Sequence, residues 1–192
     1  MPRIGYIQYD DAPADIRDAL DESAYADAED RHLFYEMLAH APSVFQHRVD
    51  YFSELIGGGV VPKRDKELAY LTVAFVTETR FVAATHARYL VDDHDLPAEI
   101  ITALGRGDLS VLSESERAIV SLARQVARDP GGVTDAMIDD LRAAGFSDSE
   151  LMELLLLTCE AQTATAIVTT TGMALSDRGE SAPPYLPDEF TL

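Results

Sequence analysis

Apolar residues recur along most of this chain at the three- and four-residue spacing that is typical of amphipathic helices. Residues 43–56 show the pattern clearly, with apolar side chains at Val44, Phe45, Val49, Phe52 and Leu55. The sequence has no long run in which apolar and polar residues alternate, and it has no hairpin dipeptide such as Asn-Gly. The pattern therefore predicts an all-α chain.

Prolines, glycines and capping residues divide this pattern into predicted helices. They cover residues 13–20, 29–40, 43–56, 62–77, 80–91, 97–105, 113–128, 134–144 and 147–174. Two of them begin with capping boxes, in which Ser113 is followed by Glu116 and Ser147 by Glu150. The last helix is apolar nearly all round from Leu151 to Ala174, so we expect it to be the central buried helix. Residues 1–12 are expected to be extended, and the proline-rich segment 181–190 is predicted to be non-helical.

A chain of 192 residues is long enough for a single domain with a sizeable buried core. Its composition, with 47% hydrophobic and 26% charged residues, is ordinary for a globular protein. No stretch of about 18 consecutive apolar residues is present, and the acidic N-terminus lacks the apolar segment of a signal peptide. We therefore expect a cytoplasmic protein without a transmembrane helix.

The chain is strongly acidic, with a formal net charge of −19, and Lys63 and Lys66 are its only lysines. Nucleic acid and anionic membranes repel such a chain, so neither is an expected partner. Two interpretations of the acidity remain open. It could serve solubility, or it could be an adaptation to high salt, in which a dense carboxylate surface stays hydrated while cations screen its self-repulsion.

Cys159 is the only cysteine, which excludes an intrachain disulfide and a Cys-x-x-Cys redox pair. Because Cys159 lies in the most apolar predicted helix, we expect a buried, protonated and unreactive thiol, with a reactive thiol as the alternative. In the same helix, Glu160 and Gln162 need polar partners. They could line a cavity or face a neighbouring subunit.

Glu67 and His86 form the candidate functional pair. They lie in predicted helices separated by a short turn at residues 77–79, so Glu67 could reach His86 if these helices form a hairpin. A carboxylate bonded to an imidazole orients the ring and makes it more basic, which produces a general base. The alternative is a structural histidine bonded to a backbone carbonyl, with Glu67 on the surface beside Lys63 and Lys66.

A metal site is a further interpretation of the histidines. His86 and His94 lie eight residues apart, and His94 stands in the sequence DDHD, whose carboxylates could help to bind a divalent cation. Histidines at this spacing are too far apart along a helix to share one ion easily, and DDHD also fits a solvated helix end. We therefore expect no metal. The Walker A, GxGxxG and GxSxG motifs of nucleotide-binding enzymes and serine hydrolases are missing as well.

Residues 67–90 resemble the alkylhydroperoxidase AhpD-like / carboxymuconolactone decarboxylase family. Its redox members carry a glutamate, eleven further residues and then Cys-x-x-Cys-x-x-x-His. The same spacing occurs here, without a gap, at Glu67, Thr79, Val82 and His86. The resemblance covers most of the chain and implies an AhpD-like helical fold in one domain. It implies a family core at about 30–110, a helical C-terminal extension at 113–176, an extended tail at 177–192, and a homo-oligomer, often a trimer or a hexamer.

Both cysteine positions of the redox members are occupied by other residues, Thr79 and Val82. In those members the backbone N–H groups at a helix N-terminus stabilise a thiolate. Thr79 could use the same groups as an N-cap, but neither Thr79 nor Val82 can transfer electrons. We therefore do not expect dithiol peroxidase activity.

The decarboxylase branch of the family performs acid–base chemistry on a lactone acid. The carboxylate and aromatic residues that this branch carries just before the histidine are missing here, where Val82 and Ala83 stand. Arg80 and Arg88 lie nearby, but they form no obvious cluster for a dicarboxylate. The sequence therefore gives no support to decarboxylation of that particular substrate.

From the residues and the resemblance together, we predict a buried pocket around Glu67, Thr79 and His86. In this hypothesis His86 is the general base or acid, Glu67 orients it, and Thr79 donates or accepts a hydrogen bond. The expected chemistry is proton transfer on a small organic molecule without an organic cofactor. Two alternatives stay open: a binding or structural protein that lost catalysis, and a peroxidase, against which the replaced cysteines argue.

Overall fold

The computed structural model describes residues 2–21 and 31–192, and these residues form helices and short 3-10 turns without any strand. The helices are α1 (Ala14–Asp21), α2 (Arg31–Leu38), α3 (Pro42–Gly57), α4 (Lys63–Val76), α5 (Arg80–Asp92), α6 (Ala98–Gly105), α7 (Glu114–Arg128), α8 (Asp135–Ala143) and α9 (Asp148–Thr171). The predicted all-α class is confirmed. The predicted start of the second helix, at residue 29, lies outside the described residues.

By its internal contacts the chain divides into two compact units, Met1–Gly59 and Val60–Leu192. In the first unit α1 packs against α3, and the Tyr35 ring of α2 meets the Phe45 ring of α3 edge-on, with 6.2 Å between the ring centroids. In the second unit α4 packs against α5, α7 and α9. The expectation of a single domain with an extension and a tail stays a prediction.

Helix α4 is the central helix of the second unit. Every residue from Lys66 to Phe75 is buried, because α5, α7 and α9 cover the helix on several sides. This corrects the expectation that the last helix would be the central one. Helix α9 buries Leu154 and Leu157 but leaves Met152 and Leu156 exposed. Apolar composition on all sides of a helix does not by itself decide which side is covered.

Helix α9 ends at Gly172, whose φ of 76° lies in the left-handed region that glycine adopts without a steric penalty. The prediction that the helix runs to Ala174 was therefore wrong at its end. Among the described residues, α9 alone is long and apolar enough to cross a membrane by length and composition. Half of the relevant window is buried inside the protein, and packing on α4 and α7 accounts for this burial.

The two predicted capping boxes are confirmed. At the start of α7, Glu116 N donates to Ser113 Oγ at 3.3 Å, and Ser113 N donates to Glu116 Oε2 at 2.7 Å. At the start of α9, Ser147 and Glu150 make the same two bonds at 3.3 and 2.7 Å. In each case the boxes satisfy backbone donors that a helix N-terminus otherwise leaves without a partner.

Candidate functional site

The structure brings Glu67 of α4 and His86 of α5 together. The two helices pack against each other across the turn at residues 77–79, in which Glu78 adopts a φ of 54°. His86 Nδ1 and Glu67 Oε2 lie 2.5 Å apart. The Glu67 side chain is completely buried, whereas 8% of the His86 side chain is exposed. The alternative with Glu67 on the surface is therefore wrong.

The contact with Glu67 determines what each nitrogen of the imidazole can do. An ionised carboxylate only accepts hydrogen bonds, so the proton of this bond is carried by Nδ1. In the neutral ring the lone pair then lies on Nε2. Within the parts of the chain that the structure describes, Nε2 has no hydrogen-bond partner. A neutral ring in this arrangement can accept a proton at Nε2, and an ionised Glu67 can stabilise the charge that results.

Two tyrosine rings fix the plane of the imidazole. Tyr70 of α4 stacks on it with 3.8 Å between centroids and 19° between planes. Tyr89 of α5 meets the imidazole edge-on, with 5.8 Å between the ring centroids and 84° between the planes. Neither tyrosine was predicted from the sequence. A signal was present, because Tyr70 follows Glu67 by three residues and Tyr89 follows His86 by three, which places each tyrosine on the same helix face as its neighbour.

Thr79 does not join this pair. Its hydroxyl bonds to the Thr77 hydroxyl at 3.0 Å and to the Thr169 hydroxyl at 3.3 Å. The described residues show no hydrogen bond from Thr79 to Glu67 or His86, and seven residues of helix separate Thr79 from His86, a rise of about 10 Å. Thr79 occupies the N-cap position of α5, but its side chain caps no backbone N–H. The expected side-chain cap was therefore wrong, because the hydroxyl is bonded elsewhere.

A cleft of about 390 Å³ opens beside Thr79, between the start of α5 and the end of α9. Its walls include Arg80, Phe81, Val168 and Thr169. A second cleft, of about 420 Å³, lies between α7 and α8. Neither of these two clefts contains Glu67 or His86, so the predicted pocket around Glu67, Thr79 and His86 stays a prediction.

Val82 and the single cysteine, Cys159, differ in their surroundings. Val82, at the second cysteine position of the redox members, is buried one helical turn before His86. Cys159 is exposed on α9, which corrects the expectation of a buried thiol. The error has the same origin as the misplaced central helix, since one side of α9 faces outward. Gln162, by contrast, faces α7, where its Nε2 lies 3.5 Å from the carbonyl oxygens of Val126 and Ala127.

A buried ion pair stands next to the site and was not predicted. Lys66, the residue before Glu67, has a fully buried side chain whose Nζ binds Glu153 Oε1 of α9. Glu153 Oε2 also accepts a hydrogen bond from Val60 N at 2.9 Å and from Val61 N at 3.4 Å. Burial alone raises the pKa of Glu153, but Lys66 and these backbone donors outweigh it and hold the pKa below its ordinary value. The pair ties α4 to α9 directly beside Glu67.

The two arginines near the site hold the C-terminal segment. Arg80 donates to the carbonyl oxygens of Pro187 at 2.9 Å and Asp188 at 3.0 Å. Arg88 binds Glu180 Oε2 at 3.0 Å. Residues 181–190 contain no helix, as predicted. Both arginines thus have contacts with the protein itself, which adds nothing in favour of a dicarboxylate site.

His94, the other histidine of the metal interpretation, is half-buried just after α5. Its Nε2 is buried and has no hydrogen-bond partner among the described residues. Across the same described part of the chain, no three His, Cys, Asp or Glu side chains cluster in a way that could hold a metal ion.

Several solved structures share this fold, and three of them are described here in turn. One is the alkylhydroperoxidase AhpD core of a peroxidase-related protein from Ralstonia eutropha JMP134, which is 20% identical, with a TM-score of 0.78 over 90% of this chain and 91% of that chain. A peroxidase-related protein from Silicibacter sp. TM1040 is 15% identical, with a TM-score of 0.68 over 74% of this chain and 75% of that chain. A variant of the debrominase Bmp8, solved in complex with 2,3,4-tribromopyrrole, is 11% identical. Its TM-score is 0.71 over 94% of this chain and 91% of that chain.

No protein-family model and no curated protein matches the sequence. The structural likeness shows that the chain has the AhpD-like fold, as the Glu67-to-His86 spacing predicted.

Proposed function

We propose that this protein is an acid–base catalyst acting on a small organic molecule, with His86 as the proton-transferring group. The supporting observation is the buried contact between His86 Nδ1 and Glu67 Oε2 at 2.5 Å, which leaves Nε2 as the proton acceptor. A carboxylate at Nδ1 holds the ring in one tautomer and stabilises the imidazolium that forms when Nε2 takes a proton. Glu67 is therefore a positioning residue, and His86 is the proposed catalytic one.

The limited exposure of His86 constrains the substrate. Only 8% of its side chain is exposed, which favours a small molecule over a macromolecule as the substrate. The debrominase with this fold was solved with 2,3,4-tribromopyrrole, a ligand of that size. Arg80 and Arg88 already bind the C-terminal segment, so we favour a substrate with few charges over a dicarboxylate.

Proton transfer to carbon can be measured without knowing the physiological substrate. The protein is incubated in D₂O with a panel of small carbon acids, comprising lactone acids, β-keto acids and 2,3,4-tribromopyrrole, and loss of the C–H signal is followed by NMR. We expect one class to exchange with the wild-type chain, and His86→Asn to lower that rate by about 100-fold or more. His47→Asn, a change at an exposed histidine of the first unit, is the matched control. Exchange that persists in His86→Asn would contradict the proposal.

The alternative of a non-catalytic homologue is favoured by one observation. Tyr70 and Tyr89 pack on the imidazole from two directions, and such a ring can serve packing alone. This alternative predicts that no compound of the panel exchanges with the wild-type chain, while His86→Asn still lowers the thermal stability.

Peroxidase activity is not proposed, because Thr79 and Val82 replace the cysteine pair and Cys159 is the only thiol. We expect no hydrogen peroxide turnover by the wild-type chain in the presence of dithiothreitol beyond that of Cys159→Ser. A clearly higher rate for the wild type would show that a single-thiol mechanism operates.

A further inference from the structure

The cleft between α7 and α8 is separate from the candidate functional site, and its volume of about 420 Å³ is in the range of small-molecule sites. Small side chains line both of its walls, with Ala118 and Ser121 on α7 and with Ala143 and Ala144 at the end of α8. None of these side chains is long enough to fill the space between the two helices. The cleft is therefore open to a ligand, and its walls consist largely of methyl and hydroxyl groups.

Three charged side chains complete the lining of this cleft, and they carry both signs. Glu114 and Arg117 belong to α7, and Asp140 belongs to α8. Glu114 and Arg117 are three residues apart, a spacing at which opposite charges on a helix attract one another. Among the described residues, however, Arg117 pairs with no carboxylate, and neither Glu114 nor Asp140 has a hydrogen-bond or ion-pair partner. The three charges therefore line the cleft without neutralising one another.

One hydrogen bond orients the Arg117 guanidinium at the cleft. Its Nη1 donates to the carbonyl oxygen of Leu112, in the loop before α7, at 2.7 Å, and the residue is half-buried. A guanidinium carries five N–H donors in one plane, and this bond uses only one of them. The other donors have no partner in the part of the chain that the structure describes. A planar fork of this kind binds a carboxylate with two parallel hydrogen bonds, so Arg117 is suited to an anionic group of a ligand.

The signs of the three charges define the ligand that fits. One cation and two carboxylates in the cleft are matched by a molecule that carries one carboxylate and two cationic groups. A basic α-amino acid has this composition, because it combines an α-carboxylate, an α-ammonium group and a cationic side-chain end. We propose that the cleft between α7 and α8 binds a basic α-amino acid such as lysine.

The positions of the charged residues assign a partner to each group of the amino acid. Arg117 and Glu114 are neighbours on one helix, with about 5–6 Å between their Cβ atoms. They bind the α-carboxylate and the α-ammonium group, which are adjacent in the ligand. The ligand side chain then crosses the cleft, and its terminal cation binds Asp140 on the opposite wall. Its methylene groups lie against Ala118 and Ala143, as the stem of a lysine lies along apolar surface within proteins.

Other classes of ligand match this cleft less well. A dicarboxylate would bring two negative charges to a cleft that already holds Glu114 and Asp140. A divalent cation would be repelled by Arg117, and no three metal-ligating side chains cluster among the residues that the structure describes. The formal net charge of −19 also favours a ligand with a net positive charge, because it raises the concentration of cations near the surface.

The first experiment is an NMR titration of the ¹⁵N-labelled full chain with three compounds that differ in charge. L-Lysine carries all three charged groups, L-norleucine lacks the side-chain ammonium group, and cadaverine lacks the carboxylate. In about 0.05 M KCl we expect a Kd for L-lysine below about 1 mM. The other two compounds should bind at least about 10-fold more weakly, because each loses a charged hydrogen bond.

Two results of this titration overturn the proposal. One is the absence of shift changes with about 10 mM L-lysine, a concentration well above the expected Kd. The other is equal binding of cadaverine and L-lysine, because the carboxylate would then contribute nothing and attraction of a cation to an acidic surface would explain the binding.

The second experiment assigns the charges with variants. Asp140→Asn should weaken binding of L-lysine by about 10-fold and leave that of L-norleucine unchanged, because only lysine has the terminal cation. Arg117→Gln and Glu114→Gln should each weaken both compounds, and Glu114 is exposed, so its variant stays informative if Arg117→Gln fails to fold. Asp139→Asn and Arg106→Gln, at exposed residues outside the cleft, are the matched controls. Equal weakening by Asp139→Asn and Asp140→Asn contradicts the proposed site.

Discussion

Glu67 is held in a position where both its charge and its shape matter. Its side chain is completely buried and its Oε2 lies 2.5 Å from His86 Nδ1, so the carboxylate satisfies a donor in a buried hydrogen bond. A buried polar group that loses its partner costs more than an ordinary hydrogen bond contributes. The contact that we propose to position His86 for proton transfer is therefore also expected to contribute to stability.

Two substitutions at Glu67 separate these effects. Glu67→Ala leaves His86 Nδ1 without its acceptor and opens a cavity, so we expect the free energy of unfolding to fall by about 3 kcal/mol. Glu67→Gln keeps the shape and one hydrogen bond, so we expect a loss of about 1 kcal/mol. Urea unfolding followed by circular dichroism measures both values. Glu99→Gln, at an exposed glutamate of α6, should stay within about 0.5 kcal/mol of wild type.

The Lys66–Glu153 pair makes stability depend on pH in a defined direction. The pKa of Glu153 is lowered from its ordinary value of 4.5: burial opposes this shift, but Lys66 and the backbone donors outweigh it. The unfolded chain therefore takes up this proton first as the pH falls. The stabilisation is fully present above pH 4.5 and is lost as the pH falls through the lower, folded-state pKa.

We expect Glu153→Gln to lose less of its unfolding free energy than wild type between about pH 5 and about pH 3. Urea unfolding at several pH values measures this slope, and Glu99→Gln serves as the control for removal of an exposed carboxylate. A slope for Glu153→Gln equal to that of wild type would show that this carboxylate does not titrate differently in the folded state.

The contact between Glu67 and His86 could be predicted from the sequence, because the backbone geometry of a helical hairpin sets it. The hairpin of α4 and α5 follows from the turn at residues 77–79, and it brings Glu67 to His86. Thr79 was misassigned because its hydroxyl found Thr169, 90 residues away, which no local spacing reveals. Lys66 was missed for the same reason, since Glu153 lies on a helix distant in sequence.

Helices α4 and α9 show that the periodicity of apolar residues does not by itself predict which sides of a helix are buried. Both helices are rich in apolar residues, yet α4 is covered by three helices while α9 presents Met152 and Leu156 to the outside. The hydrophobic pattern of a helix shows that its apolar side chains favour burial, but it does not show which of its sides is covered by the rest of the chain. Helix starts were predicted more reliably than burial, because capping depends on residues only three positions apart.

The capping box of α9 gives a test at this scale. Ser147→Ala removes the acceptor for Glu150 N and a donor to its carboxylate, so we expect the free energy of unfolding to fall by about 1 kcal/mol. Ser149→Ala, two residues into the same helix, lacks that capping role and should change stability by less than about 0.5 kcal/mol. Chemical denaturation of the two variants side by side distinguishes them. An equal loss in both would mean that the box does not stabilise the helix start.

At the scale of the whole molecule, charge is the dominant feature. A formal net charge of −19 on 192 residues places many carboxylates close together, and their mutual repulsion opposes the compact state. Buried pairs such as Lys66–Glu153 and Glu67–His86 are shielded from salt, whereas the surface charges are not. Salt should therefore stabilise the fold mainly by relieving surface repulsion.

Thermal unfolding at two salt concentrations distinguishes the two interpretations of the acidic composition. If the surface is adapted to high salt, the Tm should rise by about 5 °C or more between about 0.05 M and about 2 M KCl, as the screening length shrinks from more than 10 Å to about 2 Å. Differential scanning calorimetry measures the shift. A Tm that stays flat would leave solubility as the role of the acidic surface.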